Sequence, residues 1–157
     1  MSETGREFDL ANYVPYLLNR AGSRIADAFG QVARDEGLSL QAWRVLAVLH
    51  HSEPRTVSEI AAWSTIEVST LSRILSSMER QGLLRRQRNA SDSRQVMVDR
   101  TEVGRAATVR LIPVALSYEK AATAGFSDAE VETLKSLLRR LFDNLDGMEG
   151  APATQAS

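Results

Sequence analysis

Four residues within two turns of one predicted helix carry complementary hydrogen-bonding groups. Ser69, Thr70 and Ser72 provide short hydroxyls, and Arg73 provides a guanidinium. A guanidinium can bond a guanine base through two parallel hydrogen bonds, or it can bind a phosphate. The plainer alternative is that the hydroxyls cap a helix and that Arg73 is a solvated surface residue. Base contacts are the better interpretation only if this helix follows a second, capped helix and precedes a wing.

A second pair of chemical groups lies about twenty residues further along the chain. Asp92 and Arg94 are two residues apart in a polar loop, so we expect the carboxylate to orient the guanidinium at the loop tip. An arginine held in this way can enter a narrow minor groove, where A·T-rich sequence deepens the negative potential. A surface ion pair alone contributes about 0–1 kcal/mol, so stability is a poor reason for placing it there.

The distribution of charge supports a surface for an anionic polymer, although the formal net charge is only -1. Between Arg73 and Arg100 there are seven arginines against three acidic residues, a local excess of four positive charges. Only charge close to a duplex releases its counterions, so a local positive field on a nearly neutral protein suits phosphate binding. The alternative is a solvated arginine face without a partner. The seven are Arg73, Arg80, Arg85, Arg86, Arg88, Arg94 and Arg100.

Catalytic and metal chemistry have little support in the sequence. The chain has no cysteine, which excludes disulfides, thiolate metal sites and cysteine nucleophiles. His50 and His51 are adjacent, so on a helix they point about 100° apart, and no further histidine could complete a metal site. We find no nucleophile elbow, Gly-rich phosphate loop or paired carboxylates. We therefore expect a protein that is not an enzyme and that needs neither a metal nor a cofactor.

Composition predicts a globular protein of one domain. The 157 residues are 43% hydrophobic and 25% charged, which is enough apolar content to form a core. No apolar run approaches the roughly 18–20 residues that cross a bilayer, and the polar start lacks the pattern of a signal peptide. We expect a cytoplasmic protein with no membrane partner.

The sequence around the hydroxyls predicts three helices followed by two strands. Ser39 is a good N-cap for a helix that runs to His51, and Thr56-Val-Ser-Glu59 is a capping box that opens a short second helix. A third helix should run from about Glu67 to Gln81 and stop at Gly82. The strand-like runs span residues 83–88 and 95–100. Predicted buried residues are Trp43, Leu46, Ala47 and His50 on the first of these helices, and Val68, Leu71, Leu75 and Met78 on the third.

Long amphipathic helices flank this segment. One is predicted from about Leu10 to Glu36, a second from the N-cap Thr101 to about Ala124 with a kink at Pro113, and a third after the capping box Ser127–Glu130. Together they carry more apolar surface than the small central segment can cover, so we expect a homodimer. The apolar positions are Leu17, Ala21, Ile25, Ala28 and Val32 on the first helix, and Val131, Leu134, Leu138, Leu141 and Leu145 on the last.

Four stretches of the chain together resemble the MarR family, the multiple antibiotic resistance regulators. They are Ser69-Thr-Leu-Ser-Arg-Ile, Met78-Glu-Arg-Gln-Gly-Leu-Leu-Arg-Arg, Asp92-Ser-Arg and Thr101-Glu-Val-Gly. The matching motif positions are Gly82, Arg86, Asp92, Arg94, Thr101 and Gly104. Two positions depart from the family pattern: Ala90 stands where a proline is usual, and Arg100 stands where an apolar residue usually precedes the threonine.

The resemblance implies a mainly α fold with a small β-wing over residues 1–157. A winged helix-turn-helix lobe, residues 38–101, would be flanked by dimerisation helices, residues 8–36 and 102–146. The implied function is a ligand-responsive repressor that binds a pseudo-palindromic operator as a homodimer, with half-sites roughly 10 bp apart. A winged helix used for protein association without DNA affinity remains the alternative. The DNA-binding candidates are Ser69, Thr70, Ser72, Arg73, Arg86, Asp92 and Arg94.

The resemblance also implies a small-molecule effector, often an aromatic acid, bound between the dimerisation helices and the lobe. Arg20 is our first candidate for pairing with its anionic group. The alternative is that Trp43 is a core residue and that Arg20 makes a structural ion pair. The effector candidates are Tyr16, Arg20, Arg24, Trp43 and His51.

Overall fold

The computed structural model of the chain describes residues 8–89, 92 and 94–146, and it confirms the predicted fold class, mainly helical with a small antiparallel sheet. The chain divides into two compact units after Tyr118, within α5, and each unit is described by itself. The elements are α1 (Val14–Asp35), α2 (Leu40–His51), β1 (Arg55–Thr56), α3 (Val57–Ser64), α4 (Val68–Arg80), β2 (Leu84–Arg88), β3 (Val96–Arg100), α5 (Glu102–Ala122) and α6 (Asp128–Asp146).

The core of the first unit lies mainly between α2, α3, α4 and the sheet, and α1 and α5 add Phe29, Ala33, Ala107 and Leu111 to it. Both predicted caps are present: the Ser39 hydroxyl accepts from the Ala42 amide at 3.1 Å, and Thr56 and Glu59 form the reciprocal capping box. Leu46, Leu49, Ile60, Leu71 and Leu75 fill the space between α2, α3 and α4 with at most 1% of their surface exposed. Burial of these branched apolar side chains stabilises the arrangement of the three helices. His50, which we predicted to be buried, is exposed because it lies on the outer side of the last turn of α2.

Helix α4 follows the predicted stripe except at its first residue. Leu71, Leu75 and Met78 are buried, but Val68 is 50% exposed, so the prediction that Val68 joins the stripe is wrong. Val68 begins the helix, where the buried face ends and solvent reaches the side chain. Gly82 follows α4 with φ of +70°, a conformation that glycine adopts without a steric penalty. This turn directs the chain from α4 into the wing.

The wing is an antiparallel hairpin of β2 and β3 with β1 added on the far side of β3. Arg86 pairs with Val98 in the register of the hairpin, and Arg55 pairs with Val98 from β1. The two long strands were predicted, but β1 was missed because two residues carry no periodicity. Ala90, one of the two departures from the family pattern, lies outside the described residues.

Helix α1 starts later than predicted. A 3-10 turn, Leu10–Asn12, is capped by Asp9, and Tyr13 separates it from α1. Only the second half of α1 enters the core, through Phe29 and Ala33, while Leu17 and Ile25 are 45% and 43% exposed. The part of α1 before Phe29 therefore presents apolar side chains that its own unit does not cover.

Helix α5 begins tightly against the wing. The Thr101 hydroxyl accepts from the Gly104 amide at 3.1 Å and donates to the Gly82 carbonyl, so the predicted N-cap is confirmed. A Cβ on Gly104 would lie 2.1 Å from the Leu83 carbonyl oxygen. Glycine is therefore required for this close approach, and α5 continues as a helix through Pro113.

The second unit contains the end of α5 and all of α6. The Ser127–Glu130 capping box is confirmed, with the Ser127 amide donating to Glu130 at 2.8 Å. Lys135 bridges Glu119 on α5 and Glu132 on α6. No helix in the described ranges is long and apolar enough to cross a membrane.

Candidate DNA-binding interface

The first turn of α4 presents the predicted hydroxyls to solvent. Ser69, Thr70 and Ser72 are all exposed. The N-cap is Glu67, whose carboxylate accepts from the Ser69 hydroxyl and, at 3.1 Å, from the Thr70 amide. These hydrogen bonds, the one from Ser69 first, lower the pKa of Glu67. Because Glu67 performs the capping, the hydroxyls of Thr70 and Ser72 are not needed for it.

Arg73 lies one turn further along α4 and is also exposed. Its guanidinium forms no ion pair or hydrogen bond with any described residue, whereas several neighbouring arginines are paired. An arginine without a partner in the folded chain keeps its full donor capacity for a ligand. Arg73 and the hydroxyls lie within the first two turns of α4, on its exposed face.

The seven arginines of this region divide into two groups. Three are paired with carboxylates: Arg85 with Asp99 at 2.6 Å, Arg86 with Glu79, and Arg100 with Glu53 at 3.0 Å. The other four have no side-chain partner among the described residues; they are Arg73, Arg80, Arg88 and Arg94. The free positive charge is thus concentrated on α4 and on the two sides of the wing loop. That arrangement suits a polyanion that contacts a helix and a wing together.

Asp92 and Arg94 make a contact that differs from the predicted one. Asp92 Oδ1 accepts from the backbone amide of Arg94 at 3.0 Å, and no ion pair joins the side chains of these two described residues. Asp92 therefore holds the loop backbone and leaves the exposed Arg94 guanidinium unconstrained. The short spacing identified the pair, but it could not distinguish a bond to the side chain from a bond to the backbone.

Arg86 ties the wing to α4. Its Nε donates to Glu79 Oε2 at 2.8 Å, and its Nη2 donates to the same carboxylate and to the Ser76 hydroxyl. The hydrogen bond from Arg86 lowers the pKa of Glu79, so that the carboxylate stays ionised. Since this guanidinium is already bonded within the protein, its contribution to an interface is to hold β2 against α4.

A buried ion pair at the base of the wing was missed from sequence. Arg100 is only 6% exposed, and its side chain and backbone amide both donate to Glu53, which also accepts from Arg105. Burial alone would raise the pKa of Glu53, but the hydrogen bonds from Arg100 and Arg105 outweigh it and lower the pKa to about 2. The sequence does show Arg100 where the family usually has an apolar residue. Its partner Glu53 could not be identified because it is 47 residues away in sequence.

The five effector candidates fall into separate contact groups. The Arg20 guanidinium lies over the Tyr16 ring at 5.5 Å, and Trp43, which is partly buried, packs on Phe29 with ring centroids 5.2 Å apart. His51 stacks on the exposed Trp63, a residue that our sequence reasoning did not single out. Arg24 is exposed without a partner among the described residues. No hydrogen bond, ion pair or ring contact joins these groups within the described part of the chain.

Comparison with known proteins agrees with this geometry. A family model for the MarR family matches residues 36–95, which include α2, α3, α4 and the first wing strand. The repressor IacR of Pseudomonas putida is 27% identical over 140 residues, covering 89% of this chain and 84% of IacR. A MarR-family regulator from Silicibacter pomeroyi superposes with a TM-score of 0.81 at 29% identity, covering 88% of this chain and 96% of that one. The chain is therefore similar to MarR-family regulators, in sequence over residues 36–95 and in fold over most of its length.

A second solved structure concerns a protein whose DNA binding responds to a ligand. BpsR of Bordetella bronchiseptica, whose DNA binding is regulated by 6-hydroxynicotinic acid, superposes with a TM-score of 0.79 at 25% identity and covers 88% of this chain and 99% of its own. By its fold and its relatives, this chain is thus similar to winged-helix regulators of transcription. The relatives are regulators of transcription rather than enzymes.

Proposed function

We propose that this protein is a ligand-responsive repressor of the MarR type that binds a pseudo-palindromic operator as a homodimer. The observation that carries the proposal is the distribution of free guanidinium groups: Arg73 on α4 and Arg94 on the wing are exposed and have no partner among the described residues. The winged lobe, residues 38–101, binds the DNA, and residues 8–36 and 102–146 form the dimer.

Each DNA-binding candidate has a stated role. Ser69, Thr70, Ser72 and Arg73 meet base edges or phosphates in the major groove, which admits one α-helix. Arg94 enters the adjacent minor groove, and Asp92 shapes the loop through the Arg94 amide. Arg86 acts indirectly, because its bonds to Glu79 and Ser76 set the distance between wing and helix.

The dimer is supported by apolar side chains that the chain leaves uncovered. On α6, Leu137, Phe142 and Leu145 are 47%, 59% and 55% exposed, and on α1 the exposed Leu17 and Ile25 repeat the pattern. Leaving several large apolar groups per helix in water is unfavourable, and a second copy of the chain would cover both sets. A two-fold dimer then places the two α4 helices on half-sites about 10 bp apart.

The effector is proposed to be a small aromatic acid. BpsR responds to 6-hydroxynicotinic acid, which has an aromatic ring and an acidic group. In this chain Arg20 over the Tyr16 ring offers a cation beside an aromatic face, and it forms no ion pair within the described residues. The proposed effector residues are therefore Arg20 and Tyr16 first, with Arg24, Trp43 and His51 as further candidates.

Duplex binding tests the proposal directly. The probe is a 30-bp duplex selected from a random pool by the wild-type protein, and its affinity is measured from low to high salt. We expect log affinity to fall linearly with log salt, with a clear preference over unselected DNA. Salt-independent or absent binding would instead favour the protein-association module.

Two arginine substitutions and one control locate the interface. Arg94→Ala and Arg73→Ala should each weaken binding to the selected duplex by about 1–3 kcal/mol while the dimer stays folded. Arg44→Ala removes the same charge from the exposed surface of α2, outside the assigned contacts and the dimer helices, and should leave affinity within about twofold. Equal effects of all three would mean a diffuse electrostatic attraction and would refute the assigned interface.

A further inference from the structure

One carboxylate joins three segments of the first unit. Glu53 lies in the connection between α2 and β1, Arg100 ends β3, and Arg105 lies in the first turn of α5. Glu53 Oε2 accepts from Arg100 Nε and from the Arg100 backbone amide, both at 3.0 Å, and Oε1 accepts from Arg100 Nη2 and Arg105 Nε at 3.1 Å. The side chain and the main chain of Arg100 are therefore held by the same group.

Because Arg100 is buried, its contact with Glu53 fixes the position of its side chain. Its side chain is 7% exposed, whereas the Arg105 side chain is 38% exposed and has a second partner in Glu102. A buried guanidinium without a carboxylate is costly, so Arg100 has no equally favourable alternative position. His50 Nδ1 lies 3.2 Å from Arg100 Nη1, and because a guanidinium can only donate, this ring nitrogen is the acceptor.

Arg100 lies at the end of the wing that is opposite to Arg94. It is the last residue of the central strand β3, and Arg94 precedes the first residue of that strand by two positions. At about 3.3 Å per residue, six residues form a lever of roughly 20 Å, so a 10° tilt at Arg100 displaces Arg94 by roughly 3–4 Å. The minor groove is only about 6 Å wide, so such a tilt would misplace the guanidinium. On its other side β3 is paired with β1 over just two residues, Val98 and Met97.

We propose that Glu53 is a positioning residue for the wing: without touching DNA, it holds Arg100 and thereby sets where Arg94 meets the minor groove. The inference rests on the proposed function, because it concerns how the wing reaches DNA. The inference goes beyond the proposed function because it assigns the geometry of the interface to a buried ion pair outside the contact surface.

The test must separate positioning from stability. Replacing both partners of a buried ion pair by groups of similar size is often neutral for stability, whereas removing one partner is not. The test variant is therefore Glu53→Gln with Arg100→Met. The matched control is Arg85→Met with Asp99→Asn, which also removes one positive and one negative charge but takes them from an ion pair within the wing hairpin. Both doubles are compared with wild type by thermal unfolding before DNA is added.

The readout is a mutant cycle on the 30-bp duplex selected by the wild-type protein. In the wild-type and control backgrounds, Arg94→Ala should weaken binding roughly 5- to 150-fold. In the Glu53→Gln/Arg100→Met background the same substitution should cost less than about threefold, because Arg94 is already out of place. Arg73→Ala should cost the same in all three backgrounds. Hydroxyl-radical footprinting should show loss of the minor-groove protection made by the wing while the rest of the footprint is retained.

The outcomes separate a failure of the positioning role from a failure of the proposed function. If Arg94→Ala and Arg73→Ala have no effect in the wild-type background, the proposed function fails. If they act there, but Arg94→Ala costs as much in the Glu53→Gln/Arg100→Met background, the function stands and the positioning role is overturned. Should that double variant not fold, Arg100→Lys replaces it, since lysine keeps the charge but cannot form the paired hydrogen bonds. Full Arg94 dependence in a folded Arg100→Lys variant would equally refute the inference.

Discussion

Helices α4 and α6 have the same design in sequence and opposite environments in the structure. Both carry an apolar stripe at three- and four-residue steps and a polar opposite face. On α4 the stripe is closed inside the winged lobe, where Leu71, Leu75 and Met78 are at most 1% exposed. On α6 Leu134, Leu138 and Leu145 remain 38%, 40% and 55% exposed. An amphipathic pattern therefore shows that a face must be covered, but it does not show whether the cover comes from the same chain.

The polar faces of the two helices differ in a corresponding way. On α4 the exposed face carries hydroxyls and unpartnered arginines, whereas on α6 Lys135 is bonded by Glu132 of the same helix and by Glu119. Arg139 and Arg140 of α6 are exposed without a partner among the described residues, but α6 carries five acidic residues against three basic ones. A helix with net negative charge has little attraction for a polyanion. The contrast is consistent with the proposal that α4 recognises DNA and that α6 forms the subunit contact, and four predictions test it.

The largest expected effect comes from truncating the two stripes. Leu75→Ala should lower the free energy of unfolding by about 2–5 kcal/mol, because it removes a fully buried side chain and leaves a cavity. Leu138→Ala should change unfolding far less and should raise the dimer dissociation constant. Chemical denaturation and sedimentation equilibrium measure the two quantities. If Leu138→Ala destabilises the fold without weakening association, the α6 face is not a subunit contact.

Two helical glycines give the second contrast: Gly104 of α5 packs against the wing, and Gly22 lies on the exposed part of α1. Gly104→Ala should cost about 3 kcal/mol, since the added Cβ would lie 2.1 Å from the Leu83 backbone oxygen and must displace α5 from the wing. Gly22→Ala in α1 meets nothing within 4 Å in the chain, and alanine favours the helix. Thermal unfolding at one protein concentration compares them. Similar losses for both would mean that Gly22 is also closely packed, against a partner.

The third prediction concerns the acid dependence of the lobe. The folded pKa of Glu53 is about 2, below the ordinary value of 4.5, so the unfolded chain binds the proton more readily. The stabilisation, about 3 kcal/mol, is then fully present above roughly pH 5 and is lost as the pH falls through the folded pKa. Unfolding curves between pH 7 and pH 2.5 should converge for wild type and Glu53→Gln. A constant difference down to pH 2.5 would contradict the assignment.

The smallest expected effect comes from removing the capping boxes of α3 and α6, which have the same sequence pattern. Thr56→Ala at α3 and Ser127→Ala at α6 should each cost about 1 kcal/mol, because each removes the acceptor for an amide of the first turn. Thr56→Ala should lower the protection of amides in α3 in hydrogen exchange, and Ser127→Ala should lower it in α6. Loss of protection spread over the whole chain would show that the two regions unfold as one unit.

Much of this protein could be predicted from local sequence. The caps at Ser39, Thr56, Thr101 and Ser127 are confirmed because a cap is a bond between residues two or three apart. The core stripe of α4 is confirmed from Leu71 onward because it depends only on the helical period. The DNA-binding and effector residues remain predictions that the experiments above address.

What failed in the sequence reasoning required knowledge of distant neighbours. Val68 and His50 have the residue types and spacing of core positions, yet solvent reaches them because of where each helix ends. The strand β1 exists only through its pairing with Val98 and Met97 of β3. The bond from Asp92 goes to a backbone amide, which no spacing of side chains reveals.

Sequence alone determined which faces of this protein are apolar, where the capped helices α2, α3, α5 and α6 begin, and that positive charge is concentrated between Arg73 and Arg100. Tertiary structure decided which of those charges are free. Arg85, Arg86 and Arg100 are held by carboxylates 14, 7 and 47 residues away, and Arg73 and Arg94 are not bonded to any described side chain. The physical reason is that ion pairing acts over a few ångströms in space, so it depends on which strands and helices the fold brings together.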